Sequence, residues 1–109
     1  MKFGMLVSDS PRNIDPVEQL DGLLRQVEVG QENGLSYFDI GQHFLYGELR
    51  WLQPIPVLAR LAAEIDDHVR LGATILLAPL YNPVILAEEI ATLDIITRGR
   101  LDVGLGLGY

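Results

Sequence analysis

Apolar residues along the chain alternate between two spacings. Continuous runs at 3–8, 37–41, 71–78 and 100–106 have strand length and read as parallel strands buried on both faces. Between them the spacing lengthens to that of helices. Leu20, Leu23, Leu24 and Val27 recur at i, i+3, i+4 and i+7, bracketed by the helix-starting Asp15-Pro16 and the helix-stopping Asn33-Gly34. Leu58, Leu61, Ala62 and Ile65 predict a second helix from near Pro54. Leu86, Ile90 and Leu93 predict a third, opened by Asn82-Pro83 and ended by Gly99. Residues 42–53 carry aromatics without a period and predict a loop.

Strands alternating with helices of this length define an α/β chain built from βαβ units, with a parallel sheet and right-handed crossovers. No linker, low-complexity tract or close repeat divides it, so residues 1–109 are expected to form one unit. The net charge of −7 and the scattering of the Lys and Arg residues argue against a nucleic-acid partner. The chain has no cysteine, which excludes disulfides, thiolate metal sites and Cys nucleophiles and fits a cytoplasmic location. The first apolar run is too short for a signal peptide, and no run approaches the roughly 18 residues of a membrane span.

In parallel α/β folds, function collects at the carboxyl ends of the strands. That rule selects Ser8 and Asp9, Gly41 to Tyr46, Ala78 to Asn82, and Gly104 to Tyr109. Among these, His43 is the residue suited to proton transfer near neutral pH, although a lone imidazole on a loop is usually an ordinary surface residue. His68 falls at the other end of the strands, so no metal site is expected from the two histidines. Phe44, Tyr46 and Trp51 either line an apolar substrate pocket or cover neighbouring structure. The run Gly104-Leu105-Gly106-Leu107-Gly108 lacks the spacing of a dinucleotide loop; alternate glycines in a strand instead permit close approach of a flat ring or another strand. Asp94 and Arg100 lie away from that end, either paired with each other or holding the helix-to-strand turn.

The segment Ala91-Thr92-Leu93-Asp94, followed by Gly99-Arg100-Leu101 and the glycine run to Gly108-Tyr109, resembles the ATLDxxxxGRLxxGxGxGY signature of the bacterial-luciferase-like flavin monooxygenases. The resemblance implies that the chain is the N-terminal part, about three and a half βα units, of a TIM (β/α)8 barrel. It implies an oxidoreductase using reduced FMN and O2 on a small apolar organic substrate, supplied by a separate flavin reductase; a related class uses a deazaflavin for hydride transfer. Gly41-Gln42-His43-Phe44 matches the family's histidine region in its final His-Phe, which gives His43 a catalytic or substrate-binding role. An acidic residue and a first histidine are replaced by Gly41 and Gln42. Thr74-Ile75 matches the pair whose non-proline cis peptide forms a bulge beneath the flavin, and Gly106 falls at the strand end bordering it. Leu107 stands where some relatives carry an arginine, so no phosphate contact passes to it. Since flavin phosphate sites in such barrels usually follow strands seven and eight, the competing expectation is an incomplete barrel without catalysis of its own that assembles as a homo-oligomer.

Overall fold

The computed structural model describes residues 1–7 and 9–108, with Asp9 by its backbone alone; the candidate positions Ser8 and Tyr109 lie outside the described residues. Strands β1 (Gly4–Leu6), β3 (Tyr37–Ile40), β5 (Arg70–Leu77) and β6 (Leu101–Gly106) form one four-stranded sheet in the order β1-β3-β5-β6. Every pairing in it is parallel. Helices α1 (Pro16–Glu32), α2 (Pro54–Leu61) and α3 (Pro83–Ile96) supply the crossovers.

The helix starts follow from side-chain chemistry. Asp15 Oδ1 accepts from the amides of Val17 at 2.8 Å and Glu18 at 3.3 Å, and Asn82 Oδ1 accepts from those of Val84 at 3.0 Å and Ile85 at 3.4 Å. Each cap precedes a proline that needs no amide partner at the first helical position. The core lies between sheet and helices: Phe38, Ile40, Leu71, Ala73 and Leu76 from the sheet, with Val7 just past β1, meet Leu23, Val27, Leu58, Leu61, Leu86 and Leu93 from the helices. Strand alternation then sends Tyr37, Asp39, Gly72, Thr74 and Asp102 to the opposite face. There Arg70 makes a forked pair with Asp102, through Nη2 at 2.7 Å and Nε at 2.9 Å. That pair holds the Asp102 carboxyl below the usual carboxylate range, while burial and the nearby Asp39 raise the Tyr37 phenol.

Two expectations are corrected. The segment 42–53 is not wholly a loop, because β4 (Leu49–Trp51) pairs antiparallel with β2 (Asp9–Pro11). Arg50 ties this small sheet down, donating to the carbonyls of Ile14 at 2.8 Å and Arg12 at 2.9 Å. The second helix stops at Leu61 rather than Ile65. The amides of Ala63 and Glu64 bond three residues back, to Arg60 and Leu61, and this tighter turn carries Ile65 into the core. The turn after α3 is held by Arg100, which donates to the carbonyls of Thr97 at 2.8 Å and Asp66 at 2.6 Å and not to the Asp94 carboxylate.

Candidate active site

A cleft of about 510 Å³ opens at the carboxyl ends of β3, β5 and β6. Gly41, Gln42, His43, Phe44 and Tyr46 form one wall, Thr74, Ile75, Leu77 and Leu80 the floor and far side, and Leu107 and Gly108 the remaining edge. His43 is half-buried and is gripped by aromatic rings, with centroids 4.7 Å from Tyr46 and 4.3 Å from Trp51. Trp51 is not one of the cleft-lining residues. It sits behind His43 and against Gly41, where an added Cβ would come within 3.3 Å of the indole. The β2–β4 sheet anchors it there, and its indole nitrogen is buried with no hydrogen-bond partner. Packing against the imidazole is therefore what this ring provides. Phe44 and Tyr46 are each about half exposed on the cleft wall.

The floor is built by an irregularity in β5. Ala73 pairs with Val103 and Leu76 with Leu105, so β5 advances three residues while β6 advances two. The extra residue is a β-bulge, which turns side chains toward the site. The Thr74–Ile75 peptide within it is cis. Thr74 Oγ1 donates to the Asp39 carboxylate, fixing the near side of the bulge to β3. On the far side Ile75 lies over β6, and the glycine at 106 leaves the space that its side chain fills. Gly106 is accordingly not a lining residue.

Gln42 has a role the sequence did not signal. Its amide is 3% exposed and joins three segments around the cleft. Nε2 donates to Gln53 Oε1 at 3.0 Å and to the Tyr81 hydroxyl, while Oε1 accepts from the Leu77 amide at 2.8 Å. The polar residue inserted between Gly41 and His43 is its one trace in the sequence. His68 lies in the turn before β5, at the amino end of the sheet and away from His43.

The donor set fits a flat, largely apolar ring rather than a phosphate. Ile75, Leu77, Leu80 and Leu107 offer apolar surface, His43 and Thr74 offer the polar contacts, and no Lys or Arg is present among the described lining residues.

Parallel βα units with a cleft at the strands' carboxyl ends are those of part of a TIM barrel, the fold of the solved structures on which this chain superposes. The sequence profile of the luciferase-like monooxygenases matches residues 1–109, and the chain belongs to that family. It is 33% identical over 88 residues to the oxygenase component of flavin-dependent trigonelline monooxygenase from Acinetobacter baylyi, spanning 81% of this chain and 24% of that protein. The crystal structure of monooxygenase RslO1 from Streptomyces bottropensis superposes with a TM-score of 0.82 at 31% identity, covering 100% of this chain and 34% of RslO1. The coenzyme F420-dependent tetrahydromethanopterin reductase of Methanopyrus kandleri superposes with a TM-score of 0.68 at 27% identity, covering 99% of this chain and 27% of that one. The chain thus spans between a quarter and about a third of the length of these relatives. No helix among the described residues is long and apolar enough to cross a membrane.

Proposed function

We propose that this chain supplies the floor and one wall of the active site of a flavin-dependent monooxygenase that uses reduced FMN and O2 on a small apolar organic substrate. The observation that carries the reading is the cleft itself, which sets His43 beside an apolar floor at the end of a barrel sheet where family membership calls for a flavin. When bound, reduced flavin supplies electrons for activation of O2. Ile75 and Leu77 would then bear on the ring, with Thr74 at its edge. Phe44, Tyr46 and Leu80 shield the site from water and present an apolar surface to the substrate. His43, held by Tyr46 and Trp51, is the group placed to give or take a proton. Phosphate binding falls to loops of the barrel beyond β6, in keeping with the absence of Lys and Arg from the described lining.

The wording "oxygenase component" in the relative's name supports delivery of reduced flavin by a separate reductase. A chain without cysteine suits a cytoplasmic reaction of this kind. The flavin reading is preferred to the deazaflavin one because the flavin-dependent trigonelline monooxygenase is 33% identical to this chain, against 27% for the coenzyme F420-dependent reductase.

The test is a fluorescence titration with FMN and, in parallel, coenzyme F420, followed by turnover on a panel of small organic acceptors with reduced FMN in air. The expected result is FMN binding that His43→Ala changes by less than about threefold, with product formation about a hundredfold slower, as loss of a general acid–base group predicts. Binding of coenzyme F420 and not FMN, or full turnover by His43→Ala, would overturn the assignment.

A further inference from the structure

The glycines of β6 do not leave their strand bare. A Cβ at residue 106 would lie 2.0 Å from Ile75 Cδ1, 3.3 Å from Cγ1 and 3.7 Å from Cβ, and one at residue 104 would lie 3.1 Å from Ile75 Cγ2. The side chain of the bulge therefore straddles both glycines, with its two branches seated in the volumes that side chains at 104 and 106 would take. Ile75 still has 39% of its surface exposed, and that surface is cleft floor.

We propose that Gly106 is a positioning residue that sets the depth of the cleft through Ile75, so that the 75–106 pair determines which planar ligand the floor accepts. The inference rests on the flavin reading for the identity of that ligand. Its physical basis is independent of it. The 2.0 Å overlap involves the free end of a flexible side chain, so a methyl at 106 moves the Ile75 δ-methyl and leaves the strand in place. Cγ2 lies over Gly104, and the exposed surface of Ile75 faces the cleft, so the displaced methyl is expected to move toward the cleft. A floor raised by one methyl weakens binding of a ring that wild-type Ile75 admits. Gly106 thus acts at second hand, by letting Ile75 lie flat, and makes no contact with the ring.

The experiment is a double-mutant cycle of Gly106→Ala and Ile75→Ala in the otherwise unaltered protein, read in two ways. The ¹³C shift of the Ile75 δ-methyl reports its rotamer with no ligand present, and it is expected to change in Gly106→Ala. FMN affinity is expected to fall about tenfold in Gly106→Ala, the size of a modest overpacking penalty, and by less than about twofold when the same change is made on Ile75→Ala. An unmoved methyl, or an equal loss of affinity in both backgrounds, overturns the proposal; the second result would mean that residue 106 meets the ligand directly. If wild type binds no FMN, the flavin reading fails and the methyl shift alone decides the positioning role. If Gly106→Ala does not fold, folding of the double variant to the level of Ile75→Ala supports the seat, and its failure to fold overturns it.

Discussion

Gln42 shows how one uncharged residue can hold a site together. Its side chain satisfies the Leu77 amide, Gln53 and the Tyr81 hydroxyl from a position 3% exposed, so three segments bordering the cleft meet at one amide group. Leucine at this position has similar volume and makes none of those bonds. A buried polar group left without a partner costs about 1–3 kcal/mol, and the Leu77 amide is stranded first. Gln42→Leu is expected to destabilise the protein by about that amount in urea unfolding. A loss below about 0.5 kcal/mol would show that water reaches these groups. The position of His43 on the cleft was legible in the sequence, since an imidazole at the carboxyl end of a strand stands out by its chemistry alone. Gln42 was not, because a glutamine's value lies in partners 11, 35 and 39 residues away, and no local pattern records them.

At the scale of elements, α1 makes opposite demands on two glycines in the same helix. Gly22 is exposed and a Cβ there meets nothing within 4 Å, so Gly22→Ala is expected to stabilise by about 0.5–1 kcal/mol through helix propensity. Gly30 faces Phe38, which is fully buried, and a Cβ there would stand 2.7 Å from the ring. Overpacking costs about 1–3 kcal/mol against a propensity gain near 1, so Gly30→Ala is expected to destabilise. Thermal unfolding of the two variants should move in opposite directions; both rising would show that Phe38 has room to yield. The helices and main strands were legible because caps and apolar periods are local: Asp15-Pro16 and Asn82-Pro83 sit where the helices begin. The β2–β4 pair was missed because each strand has three residues, one of them Pro11, and what makes them strands is their pairing across 38 to 42 residues. The seat of Ile75 over Gly106 was hidden for the same reason. The glycine run announced close approach, and only the register gap between Ala73 and Leu76 tells which side chain approaches.

At the scale of the molecule, four strands make an open sheet. Its two outer strands, β1 and β6, each have one pairing edge unoccupied. A barrel closes only when the strand number and tilt allow the last strand to pair with the first, and in eight-stranded barrels these outer strands gain partners from the remainder. The apolar surface agrees with that geometry. Leu105 pairs in register with Leu76; Leu76 is 1% exposed beneath the helices, whereas Leu105 is 58% exposed. Phe3 and Leu6, around β1, are also more than half exposed. Open edges flanked by apolar side chains associate with other edges. The 109-residue chain on its own is therefore expected to form oligomers, seen as a sedimentation coefficient that rises with protein concentration. Leu105→Lys places a charge beside the β6 edge and is expected to weaken that association about tenfold, whereas Glu88→Lys, on the exposed side of α3, should leave it unchanged. Leu105→Lys adds one positive charge and Glu88→Lys two to a chain whose net charge is −7, so both lower the repulsion between copies and net charge alone would strengthen association. Weakening by Leu105→Lys alone would therefore locate the association at the edge that a complete barrel closes, and weakening by both to the same extent would overturn that placement. His43 and Ile75 both border the cleft that Leu107 and Gly108 edge on the β6 side, so pairing of that edge would bear on both.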